Sequence, residues 1–184
     1  MALLNGRPAG GRLTLLLALV LAPAAGLFPL QFTEDRIKGA FLLHFPSFIT
    51  WPDDPPGAAF TIGVMGDPDL IDVLDRALPT DQIRERPLFF RSVSGPGDAV
   101  RCQLVYISGR EARLLDATLK AVDGLPILTV SDAPDFLRRG GMIRMFLDGT
   151  HLRFAINTRA MERAHLRVSS RLLALARAPA GGRQ

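Results

Sequence analysis

Phe60-Thr61-Ile62-Gly63-Val64-Met65-Gly66-Asp67-Pro68-Asp69-Leu70-Ile71-Asp72-Val73-Leu74 hands a strand directly to a helix. Six residues rich in apolar and β-branched side chains end at Gly66, which reads as a strand. Asp67 then has the side chain of an N-cap, and Pro68 suits the first helical position because it lacks only an N–H that would be unpaired there. Leu70, Ile71, Val73 and Leu74 follow at helical spacing.

The same alternation continues toward the C-terminus. Pro87–Val93 and Gln103–Ser108 read as strands, and Arg110–Val122 as a helix. Ile127–Ser131 reads as a further strand, followed by a short helix near Pro134–Arg138. Strands alternating with helices predict an α/β fold, a mainly parallel sheet covered by helices on both faces. The style then changes. Met142–Leu147 and His151–Asn157 flank Asp148-Gly149-Thr150, a tight-turn signal that predicts a C-terminal antiparallel β-hairpin. Gly140-Gly141 turns the chain into it, and Asn157 is placed to tie down a loop backbone. Short helices are expected over Arg159–Arg163 and Ser170–Arg177, the second capped by Ser169 or Ser170.

Upstream, residues 34–49 place Ile37, Ala40, Phe41, Phe45 and Phe48 on one helical face, widened by Leu42, Leu43 and Ile49. Pro46 removes a backbone bond, so a kink or break is expected there.

The N-terminus predicts export. Arg7 and Arg12 precede an apolar run from Leu13 to Leu21, and Ala22-Pro23-Ala24-Ala25 supplies small side chains with Ala24 and Ala25 at the cleavage site. That run of nine reaches about 14 Å as a helix, roughly half a bilayer core. The reading is a signal peptide over residues 1–25, one domain over 26–177, and a disordered tail over 178–184. The mature protein is expected in the periplasm.

Of the 22 basic residues, Arg7 and Arg12 leave with the leader, so 20 face 18 acids. That balance is too small to predict nucleic-acid binding. The charges are segregated, with nine acids against four arginines over residues 52–98, and ten arginines against Asp148 and Glu162 from Arg138 onward. Solvated faces account for this first; orientation near a charged partner or membrane is the second reading. Cys102 is the one cysteine, so no disulfide forms within the chain. A buried strand-edge position is expected for it, with a link between chains as the alternative.

No catalytic constellation, metal site or cofactor site is predicted. His44 reads as a core residue on the apolar helix, while His151 borders a turn and His165 a helix end; none has ligand spacing. Gly63-Val64-Met65-Gly66 lacks the rest of a nucleotide fingerprint and reads as strand geometry with helix capping. Asp132 and Asp135 read as part of a strand-to-helix turn.

Three segments together resemble the YfiR family of bacterial periplasmic proteins. The first is Ile37-Lys38-Gly39-Ala40-Phe41-Leu42 through Phe45, Phe48 and Trp51-Pro52. The second is Leu128-Thr129-Val130-Ser131-Asp132, then Phe136 and Gly140-Gly141-Met142-Ile143. The third is Arg153-Phe154-Ala155-Ile156-Asn157, then Leu166 and Ser169-Ser170-Arg171-Leu172-Leu173-Ala174-Leu175-Ala176. The resemblance implies a non-enzymatic periplasmic homodimer. It would repress a YfiN-like inner-membrane diguanylate cyclase through the sensor portion of that enzyme. A YfiB-like outer-membrane lipoprotein would relieve the repression, and cyclic di-GMP, biofilm formation and motility would respond. Better-known members carry further cysteines that couple stability to redox state, which Cys102 alone cannot do. Pro46 also departs from the expected helix. Phe45, Phe48 and Trp51 read first as core packing and second as a partner-binding aromatic patch, with Trp51 nearest the surface. A small-molecule-sensing or solute-binding domain is the alternative function, because parallel strand ends often form ligand crevices. An unrecognised hydrolase is the third.

Overall fold

A computed structural model of the chain describes residues 28–53, 55, 57–77, 82–83 and 86–177. The expected leader with Ala24 and Ala25, and the expected tail over 178–184, lie outside the described residues. Helix α1, Phe28–His44, opens the fold and runs into a 3-10 turn over Phe45–Phe48. Pro46 ends the α-helix as expected, because it has no N–H for the helical ladder. Strand β1, Ile49–Thr50, follows. Then come β2 (Phe60–Met65), α2 (Pro68–Ala77), β3 (Gln82–Ile83), β4 (Arg86–Ser92) and α3 (Pro96–Ala99). The remainder is β5 (Leu104–Ile107), α4 (Ala112–Val122), β6 (Leu128–Ser131), β7 (Ile143–Asp148), β8 (His151–Ile156), α5 (Thr158–Arg163), β9 (Arg167–Val168) and α6 (Ser170–Leu175).

The sheet runs β3-β4-β2-β5-β6-β7-β8. Its five inner strands are parallel, and the edge strands β3 and β8 are antiparallel to their neighbours. Alternation along the central strands sorts side chains between two cores. Leu104 and Tyr106 of β5 face α1 and α2, with Phe60, Ile62, Leu70, Leu74 and Leu128. Val105 and Ile107 face α3 and α4, with Ala99, Leu115, Leu119 and Val122. Helices therefore cover both faces, which is why β5 is buried at every residue. A separate ribbon pairs β1 with β9, Ile49 opposite Val168 and Thr50 opposite Arg167.

The caps follow their local chemistry. Asp67 accepts a hydrogen bond from Leu70 N at 3.2 Å, and Ser169 from Leu172 N at 3.3 Å. Asn157 accepts from Ala160 N and donates to Leu137 O, so one amide caps α5 and anchors the preceding loop.

Several expectations are corrected. Residues 134–140 form successive turns rather than a helix. Gly140 takes φ 97°, and a Cβ on Gly141 would lie 2.3 Å from the Phe136 ring, so the chain folds back before a helix can grow. The hairpin loop is Gly149-Thr150 alone, because Asp148 already pairs with His151. Gly149 carries the positive φ of 62° that a two-residue loop demands at its first position. His44 is exposed, not a core residue. The buried face of α1 is also rotated: Ile37 is 41% exposed and Ala40 exposed, while Asp35, Lys38 and Leu42 are buried.

Candidate functional site

In a parallel sheet the place to look is beyond the carboxyl ends of the strands, where neighbouring connections leave in opposite directions. Here that point lies between β2 and β5, since β2 leads to β4 on one side and β5 to β6 on the other. The residues just past the strand ends are polar: Asp67 after β2, Ser108 and Gly109 after β5, and Asp132 after β6.

Helix α1 fills this crevice. Lys38 Nζ lies 2.9 Å from Asp132 Oδ2 and 2.9 Å from Glu34 Oε1, and the lysine is only 5% exposed. Gly109 N donates to the other Asp132 oxygen at 2.6 Å. Burial alone would raise the Asp132 pKa. The hydrogen bonds from Lys38 and Gly109 and the nearby ammonium outweigh it, holding the carboxyl below 3.8. Burial likewise works against the Lys38 charge, but its two carboxylate partners keep its pKa above 10.5. Asp67 shifts the other way. Its burial, then the neighbouring Asp35, raise its pKa above 3.8 despite the bond from Leu70 N. Tyr106 closes the floor. Its hydroxyl is buried without an aligned hydrogen bond, and burial followed by the charge of Asp132 pushes its pKa far up. The cluster is thus an internal clamp between α1 and the sheet, with the lysine ammonium where a ligand would otherwise enter.

The aromatic candidates are packed inward. Phe45 is 1% exposed and meets Phe154 edge-on, with centroids 5.3 Å apart. Trp51 is 6% exposed and stands at 88° to Phe60, 5.2 Å away. Phe48 is half-buried against the same core. In this chain all three side chains pack against the core. Trp51 nonetheless reaches the wall of an open cleft beside β1. Its indole N–H is buried with no acceptor among the described residues. Cys102 is buried as expected, at 2% exposure. Among the described residues no helix is long and apolar enough to cross a membrane.

Sequence reasoning missed the clamp. The available signal was a lysine embedded in an apolar helix, in a chain with two lysines, and an aspartate directly after a buried strand. Neither says that they meet, because they stand 94 positions apart.

A model of the YfiR/HmsC-like family matches residues 35–177, from α1 through the end of α6. The chain belongs to the YfiR/HmsC-like family. A solved structure, that of a conserved domain protein from Vibrio cholerae O1 biovar El Tor, is similar over 77% of this chain with a TM-score of 0.55. The two share 12% sequence identity, so the likeness concerns the fold alone, and this chain spans 58% of that one.

Proposed function

We propose that this YfiR/HmsC-like chain is a periplasmic regulatory protein that works by binding, not by catalysis. It docks on the extracytoplasmic sensor portion of an inner-membrane, YfiN-like diguanylate cyclase and represses it, lowering cyclic di-GMP. The observation that carries this reading is the family match over residues 35–177. The filled strand-end crevice agrees with it, since Lys38 and Asp132 satisfy one another where a small substrate would bind. Delivery through a signal peptide, a homodimeric state and relief by a YfiB-like lipoprotein complete the proposal.

The test is intracellular cyclic di-GMP in a clean deletion strain against its parent. A rise reversed by complementation is the expected result. An unchanged level would refute repression of a cyclase.

A further inference from the structure

The cleft beside the β1–β9 ribbon has a volume of about 610 Å³, within the usual size range of small-ligand sites. Three features give it a chemical character. The first is the ribbon itself. Thr50 and Arg167 are cross-strand partners and both exposed, so both side chains stand on the cleft face, while Ile49 and Val168 pack toward the core.

The second is His165. It is the one non-glycine residue with positive φ, 57°, among the described residues. It ends α5 in a paired hydrogen-bond pattern: His165 N donates to Glu162 O at 3.0 Å and Leu166 N to Met161 O at 2.9 Å. That pattern favours glycine at the left-handed position, since a Cβ there is strained. A histidine is thus held where the backbone would prefer no side chain, and it lines the cleft. Strain of this kind clusters at binding sites.

The third is the lining. Pro52 is exposed and gives apolar surface, Trp51 and Leu166 add only their edges at 6% and 2% exposure, and Glu162 is the acidic side chain among the described lining residues, beside Arg167 and His165. Arg167 offers a guanidinium and His165 an imidazole donor, and guanidinium geometry favours a planar anion such as a carboxylate.

We propose that this cleft binds a small organic carboxylate with an apolar or aromatic body. Arg167 and His165 hold the carboxylate, and Pro52 holds the body against the edges of Trp51 and Leu166. Glu162 weakens binding of anions near it and so sets a limit on affinity. The inference is independent of cyclase repression, because the cleft belongs to the chain itself.

Trp51 is the only tryptophan in the chain, so its fluorescence reports on this cleft. Phenylacetate and its uncharged amide, phenylacetamide, are titrated in turn into the purified protein. The expected result is saturable binding of the acid and about tenfold weaker binding of the amide, the loss that accompanies removal of one charge-assisted hydrogen-bond pair. Arg167→Gln should erase that preference, and Glu162→Gln should tighten phenylacetate. His165→Gly should melt no lower than the parent, because it relieves the left-handed strain, yet bind phenylacetate more weakly. Silent Trp51 fluorescence, equal affinity for acid and amide, or an Arg167→Gln variant with the parent's preference would each overturn the proposal. A His165→Gly variant that binds like the parent would overturn the role given to the histidine.

Discussion

Lys38 is 5% exposed and has two carboxylate partners, so the energetics of the clamp turn on compensation rather than on attraction. Removing one partner of a buried pair leaves a charge without its counterpart, which costs far more than the pair contributes. Asp132→Asn is therefore expected to lower stability by about 1–3 kcal/mol in urea unfolding at neutral pH. The pH dependence follows from the direction of the shift. With its folded pKa below the ordinary value, Asp132 contributes stability above its unfolded pKa of about 3.9 and loses it as pH falls through the folded value. The parent should weaken through that acid window, and the part of the slope due to Asp132 should vanish in Asp132→Asn. Asp67 is expected to behave oppositely. Its raised pKa means the folded state disfavours its ionised form, so its unfavourable contribution shrinks as pH falls through the folded value. Asparagine caps a helix as well as aspartate. Asp67→Asn should accordingly leave neutral-pH stability unchanged or raised, and a urea midpoint below the parent's would contradict this account.

At the level of elements, the two glycines of the Gly63-Val64-Met65-Gly66 segment have packing roles. A Cβ on Gly63 would fall 2.6 Å from Val93 Cγ2 and 2.8 Å from Cys102 Sγ, both side chains of the buried α4-side core. A Cβ on Gly66 would fall 2.1 Å from Glu111 Cγ, at a backbone φ of 76°. Gly63→Ala forces an overpacked core and should cost about 1–3 kcal/mol. Gly97 of α3 offers the contrast, with open space around its missing Cβ. Gly97→Ala should be neutral or stabilise by roughly 0.5 kcal/mol, through lower entropy of the unfolded chain. Thermal melts of the two variants moving in the same direction would refute this reading.

For the molecule as a whole, the position of Cys102 decides how the chain meets an oxidising compartment. Burial, the largest influence, raises its thiol pKa, so the reactive thiolate is disfavoured as well as inaccessible. The purified protein should run as a monomer on a non-reducing gel, and iodoacetamide should label Cys102 only after denaturant is added. A disulfide-linked dimer would show that the α3–α4 side of the sheet opens. The arginine-rich last third folds into the hairpin, α5, β9 and α6, so the charge segregation seen along the chain is carried into one stretch of the structure.

Strand-helix alternation, the Asp67 and Ser169 caps, the break at Pro46 and the existence of the hairpin were all determined by the sequence alone. Each depends on backbone chemistry within a few residues, so the signal and its consequence lie together. Tertiary structure alone decided which face of α1 is buried, because apolar spacing selects Ile37 and Ala40, whereas Lys38 goes inside only where Asp132 waits for it. It alone paired Thr50 with Arg167 and so formed the cleft, since strands two residues long carry no periodicity to read. A buried charge and a two-residue strand are both stable only through distant neighbours, and those neighbours exist only once the chain has folded.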